Sequence, residues 1–235
     1  MSRWSNPFIS VALALLAACQ STPPLDVRSP GAVETSPPAA VDARAPGGTS
    51  LAAAAGGHAT LGEDSPIPER AAQQYAQALQ LMRAGRNTDA ELEFKELSVA
   101  YPRLAGPQLN LGLLYLRDSR LTEAETAFKV ALETSPANAV AGNELGIVER
   151  RLGKFAEAEA AYQRTIAAEP NYAPAHLNLG MLYDLYLAQP QKALDEYQRY
   201  LNIAGDNKQV AGWVVELRKR VAVPAPASAA KKEPA

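Results

Sequence analysis

The sequence predicts an all-α protein: a solenoid of about four helical hairpins closed by a C-terminal capping helix. Three observations carry that reading. Pro102, Pro136 and Pro170 follow one another at intervals of 34 residues. Ahead of each proline, an alanine stands four residues before an aromatic ring: Ala90 and Phe94, Ala124 and Phe128, Ala158 and Tyr162. Earlier in the period a Leu-Gly pair recurs, as Leu111-Gly112, Leu145-Gly146 and Leu179-Gly180. Four residues make about one helical turn, so alanine and ring share a helix face. A fixed period of this length marks stacked units of two helices, and the proline stops each second helix because it lacks an amide hydrogen and clashes with the preceding turn.

Taken in order, residues 1–18 carry one positive charge, Arg3, and then the apolar run Phe8 to Leu16. That run is far too short for a bilayer-spanning helix of roughly 20 residues and has the layout of a signal peptide. Cys19 is the only cysteine of the chain. It has no disulfide partner, and two histidines in the whole sequence do not complete an ordinary zinc site with it. Leu16-Ala17-Ala18-Cys19 resembles the lipobox of bacterial lipoproteins. The resemblance implies that Cys19 becomes the first mature residue, bearing diacylglycerol on sulfur and an acyl chain on nitrogen, and no other cofactor is expected. It also implies a membrane partner through the lipid. Because Gln20 is not Asp, the expected location is the outer membrane, facing the periplasm.

Residues 19–68 are dominated by Pro, Ala, Gly, Ser and Thr and read as a tether, with too little apolar bulk to offset the entropy of ordering. A flexible chain of that length reaches on the order of 40 Å. Four repeats are placed at about 71–104, 105–138, 139–172 and 173–206. The first has Ala78 where glycine is usual. The fourth fits only with one residue inserted between Tyr186 and Pro190, and Ile203-Ala204-Gly205 replaces its closing proline. Asp206 or Asn207 is positioned to cap a last helix, 207–221, with Trp213, Val214 and Leu217 as its apolar stripe. Residues 222–235, rich in Pro and Ala, read as a second unstructured tail.

The repeats resemble tetratricopeptide repeats (TPRs) over about residues 69–205. The resemblance implies a right-handed superhelix whose first helices line a groove that binds a protein or peptide. Carried over position by position, the groove is Tyr75, Leu79, Met82 and Arg83 from the first unit, and Leu109, Leu113, Leu116 and Arg117 from the second. Asn143, Ile147, Arg150 and Arg151 follow from the third, and Leu177 and Met181 from the fourth. The pattern is an aliphatic floor edged by arginines. The carboxylate clamp of chaperone-binding relatives is excluded: Tyr75, Leu79, Val140 and Glu144 occupy its places and only Asn110 fits.

Catalysis has little support. Gly146 to Phe155 superficially resembles a phosphate loop, but six residues rather than four separate its glycines and Phe155 stands where Ser or Thr binds magnesium. No nucleophile, base and orienter occur together in the repeats, so no enzyme, catalytic residue or metal site is expected. Glutamates such as Glu91, Glu125 and Glu159 are expected on solvated outer faces, and Tyr162, Tyr183, Tyr197 and Tyr200 on packing positions. A net charge of −2 without a basic stripe argues against nucleic acid. The expected role is a lipid-anchored adaptor for an envelope complex, with pilus or secretion assembly (the pilotin type) favoured. Adaptors of cell-wall hydrolases, of proton-driven energy-transduction complexes, and a self-associating structural lipoprotein are the alternatives.

Overall fold

The structure is a computed structural model and describes residues 67–222. The expectations placed on the signal segment, on Cys19, on the tether up to residue 66 and on the tail from 223 lie outside the described residues. Among these residues there are nine α-helices and no strand. They are α1 (Glu69–Arg83), α2 (Asn87–Ala100), α3 (Ala105–Arg117), α4 (Leu121–Thr134), α5 (Ala139–Arg151), α6 (Phe155–Ala168), α7 (Ala173–Leu185), α8 (Pro190–Ala204) and α9 (Lys208–Ala222). Each odd helix packs against the even helix that follows it, and α9 closes the series against α8.

The hairpin is fixed where the sequence repeats most strictly. Phe128 lies so close to α3 that a Cβ at Gly112 would stand 2.5 Å from its ring; Tyr162 makes the same approach to Gly146, and Tyr197 comes within 2.6 Å at Gly180. The glycine therefore serves as the seat of its own hairpin's ring. All three rings are fully or almost fully buried, with Ala124, Ala158 and Ala193 beside them at zero exposure.

The turn inside each hairpin uses a left-handed residue, at Gly85, Ser119, Gly153 and Ala188 (φ 75, 59, 76 and 50°). In the second unit Ser119 N–H bonds Leu116 O and Arg120 N–H bonds Tyr115 O, which satisfies the free carbonyls at the end of α3. The first three turn residues keep the 34-residue interval; Ala188 comes one residue late, and the four-residue link 186–189 holds that extra residue. At the far end Asn207 Oδ1 accepts from Gln209 N–H (3.1 Å) and Val210 N–H (3.2 Å), and so caps α9. Val210, Val214 and Leu217 are the buried stripe of α9, while Trp213 stays half-buried against the Tyr197 ring, centroids 5.4 Å apart.

Successive odd helices α3, α5 and α7 contact one another more closely than the even helices do. The stack therefore curves with its odd helices inside, which is what gives them a shared groove face.

Candidate partner-binding groove

The inner helices α3, α5 and α7 bury most of their residues, whereas α1 buries only Ala71, Ala78 and Met82, and the groove is defined by what remains. On α5 only Val140, Glu144, Ile147, Arg150 and Arg151 escape full burial. Val140, Glu144, Ile147 and Arg151 are spaced i, i+4, i+7, i+11, one stripe of a helix. On α3 the residues left open are Gln108, Leu113, Leu116 and Arg117, and on α1 they include Tyr75, Leu79 and Arg83. The open floor is thus Leu79, Leu113, Leu116 and Ile147, each half-buried, with arginines along the edge formed by the helix C-termini.

Five residues expected in the groove are withdrawn from it. Met82, Leu109, Asn143, Leu177 and Met181 are 5, 1, 2, 3 and 5 % exposed. They pack between neighbouring helices, because the curvature that brings inner helices together closes over these positions. Tyr75 remains partly open, but its hydroxyl fills the space over Gly106, 2.7 Å from where a Cβ would stand, and it accepts from Asn110 Nδ2 at 2.8 Å.

That last bond belongs to a set of polar contacts between adjacent inner helices. Asn178 Nδ2 donates to Asn143 Oδ1 at 2.8 Å, a separation of 35 residues like that of Tyr75 and Asn110. The rung between them would join Leu109 to Glu144, and leucine offers no partner. Glu144 is left with the Asn143 side-chain amide at 3.2 Å. Burial pushes its carboxyl up to about 7, against the opposing pull of that hydrogen bond.

The arginines differ in freedom. Arg151 reaches back to Ser119 Oγ (3.3 Å) and Leu116 O (3.5 Å), joining α5 to the end of α3. Arg150 donates to Tyr186 Oη at 3.2 Å and lies over its ring at 5.5 Å, which joins α5 to α7. Tyr186, 42 % exposed, was missing from the residues expected here; its place immediately after α7 was the available signal. Arg117 and Arg83 are exposed, Arg117 with Asp118 at 3.6 Å. At the far end Asp184 is held by Arg220 of α9 at 2.7 Å.

The second helices bring a correction. Their glutamates do not all face water. Glu125 is 6 % exposed and is bonded by Lys129 (2.6 Å) and by Lys154 of the next unit (2.7 Å). Glu91 is bonded likewise by Lys95 (2.7 Å) and Arg120 (2.8 Å). Burial works to raise both carboxyls, yet the bonds from the cations outweigh it and hold them below the usual carboxylate range. In both cases the cation lies 29 residues beyond the acid, a recurrence that was present in the sequence. In the fourth unit Tyr183 takes over, donating to Glu159 at 2.7 Å.

His176 sits on the same joint. It is 2 % exposed, with Nδ1 2.6 Å from Glu196 Oε2 and Nε2 3.0 Å from Pro170 O. Both neighbours only accept, so the ring is suited to carry both protons. The Glu196 bond raises its pKa, burial opposes, and the Pro170 carbonyl adds to the rise. It is a structural fastener and touches no open pocket of the groove.

No curated protein matches the chain by sequence. Among solved structures, MamA (residues 41 to the end) from Desulfovibrio magneticus RS-1 superposes with a TM-score of 0.59 at 19 % identity, covering 67 % of this chain and 88 % of that one. A tetratricopeptide repeat protein from Parabacteroides merdae gives 0.57 at 18 %, over 65 % and 62 %. Both likenesses are of fold. The tetratricopeptide repeat family model matches residues 69–139 and 143–208. More than half of the chain is thus matched, and it belongs to the tetratricopeptide repeat family, whose members are helical scaffolds for protein–protein interaction.

Proposed function

We propose that the chain is a lipid-anchored periplasmic adaptor whose groove holds a partner protein near the outer membrane. The observation that carries the binding part is the open stripe of the inner helices: Leu79, Leu113, Leu116 and Ile147 with Arg83, Arg117 and Arg151 along its edge. Half-buried aliphatic side chains that no other described element covers, next to exposed guanidinium groups, suit an amphipathic segment with carboxylates beside its apolar face. The anchoring part rests on Leu16-Ala17-Ala18-Cys19, with the stretch from Cys19 to residue 68 as the lipidated tether and the envelope as the site of action. Assembly of a pilus or secretion apparatus is the favoured process, on the resemblance to short TPR lipoproteins alone.

The test uses a photo-crosslinking amino acid at Leu113 in the groove or at Val99, which is 83 % exposed on α2. In intact cells the Leu113 probe is expected to capture a discrete protein that the Val99 probe does not. Capture at both positions alike, or at neither, overturns the groove as the docking face. For the anchor, Cys19→Ala is expected to leave the precursor unlipidated, so that labelled palmitate enters the natural chain and not the variant, while its helical circular dichroism persists. Equal labelling of the natural chain and the variant, or labelling of neither, removes the lipidation reading.

A further inference from the structure

We infer that the groove takes a partner helix of three-sided chemistry: apolar toward the floor, acidic on one flank, and carrying a lysine or arginine on the other flank to meet Glu144. This rests on the groove reading above and adds the partner's chemistry.

The first argument is the layout of α5. Glu144 and Arg151 bracket Ile147 on one stripe and are seven residues apart, which is about 10 Å along the helix axis. An α-helix with its side chains is about 10–12 Å across. One helix lying along the groove, over Ile147 and Leu113, therefore presents one flank to Arg117 and Arg151 and the opposite flank to Glu144.

The second argument is pitch. Packed helices stand about 8–10 Å apart, so Leu79, Leu113 and Ile147 recur along the groove at roughly that interval. A helix advances about 10.5 Å in seven residues. Apolar residues one heptad apart then fall on successive floor positions.

A third argument separates a helix from an extended strand. A strand bound between these walls needs partners for its own amide and carbonyl groups. The amides nearest to hand are occupied: Asn178 bonds Asn143, Asn143 bonds Glu144, and Asn110 Nδ2 bonds both Tyr75 Oη and Gly106 O (2.9 Å). Asn110 Oδ1 is buried beyond reach. A helix brings its backbone bonds with it.

The charge on the second flank follows from Glu144 itself. It is half-buried on the open stripe, and no Lys or Arg among the described residues makes an ion pair with it. A carboxylate so placed favours a cation and disfavours a second acid. Its neighbours are Asn143 on its own helix, Tyr162 of α6, and Tyr172 ahead of α7, both phenols held protonated above their ordinary range chiefly by burial. Glu144 is thus the group on this wall that changes charge near neutral pH.

The experiment uses the full chain and two fluorescent, stapled helical peptides of about 18 residues, long enough to span the three floor positions. Both carry leucines at heptad spacing and glutamates on one flank; the other flank bears lysine in the first peptide and glutamate in the second. Anisotropy titration is expected to show the lysine peptide binding about tenfold more tightly, the range of one desolvated charge pair. The preference should grow from pH 6 to pH 8 as Glu144 ionises. Glu144→Gln should erase both the preference and its pH dependence, and Glu144→Arg should reverse the preference. Arg117→Glu should weaken both peptides by the same factor. Circular dichroism on each variant confirms the helical fold. Equal binding of the two peptides, a preference that survives Glu144→Gln, or no binding of either peptide overturns the inference. Capture by the Leu113 probe in cells would then still stand, so failure here is distinct from failure of the groove.

Discussion

At the scale of single residues the solenoid depends on a few contacts with no slack. A methyl group at Gly112 or Gly146 meets the face of a fully buried ring at 2.5 Å, and the ring has no room to withdraw. Gly146→Ala is expected to destabilise by roughly 1–3 kcal/mol in urea denaturation. Gly212 on α9 has nothing within 4 Å of such a methyl, so Gly212→Ala should stabilise by about 0.5–1 kcal/mol through helix propensity alone. A second residue-scale expectation concerns pH. His176 has a folded pKa above its unfolded value, so its contribution is fully present below the unfolded pKa near 6.5 and fades as pH rises through the folded one. Glu144, with a folded pKa of about 7 against 4.5 unfolded, acts in the same direction between those two values. Melting temperature should therefore fall from pH 5 to pH 9. The upper part of that fall should shrink in His176→Gln and the lower part in Glu144→Gln. A profile unchanged in both variants would show that neither group is protonated as described.

The elements show where sequence was readable and where it was not. Helix pairing, turn positions and the ring on its glycine all repeat at one interval, and a repeated constraint is visible without knowing its cause. The inserted residue of the fourth unit was visible for the same reason: Pro190 and Tyr197 fall one place late. Groove membership was harder. Leu109 and Leu113 are one turn apart on the same helix and chemically identical, yet one is buried and the other open, because helix-to-helix curvature decides between them and no single helix encodes it. The acids of the second helices are harder to read, since only one of the two cations on each lies a turn away on its own helix and the other, Arg120 or Lys154, belongs to the next unit. Glu125 distinguishes the two views. If it clasps Lys154 across units, Glu125→Ala should lower the melting temperature more than Glu123→Ala, whose bond to Arg120 spans three residues on an exposed face. Equal effects would return the outer acids to an ordinary solvated role.

For the described body as a whole, stability is a sum over hairpins and their joints, and the ends are the weak points. The apolar core falls into two clusters, one running from Ala71 through Val148 to Ala161, the other from Ala158 through Tyr197 to Leu217. Polar side chains of the third and fourth units, Asn143, Glu149, Thr165 and Asn178, lie buried near where they meet. The second cluster is finished only by α9, which supplies Val210, Val214 and Leu217. A chain ending after Gly205 would leave Leu194, Tyr197 and Tyr200 without that cover, and light scattering should show it self-associating where the full chain does not. No helix among the described residues is long and apolar enough to cross a membrane.

The clasps that tie an acid to a cation 29 residues ahead obey the same offset at two successive joints, and so do the ring, its glycine seat and the turn between them. A segment copied whole, 105–138, and inserted after itself would meet its original at a junction already solved: Glu125 would find the copy of Arg120, and the copy of Glu125 would find Lys154. The charged clasps would survive such an insertion unchanged, and the joint would lose only the Tyr75–Asn110 type of bond, since the copy of Asn110 would face Leu109.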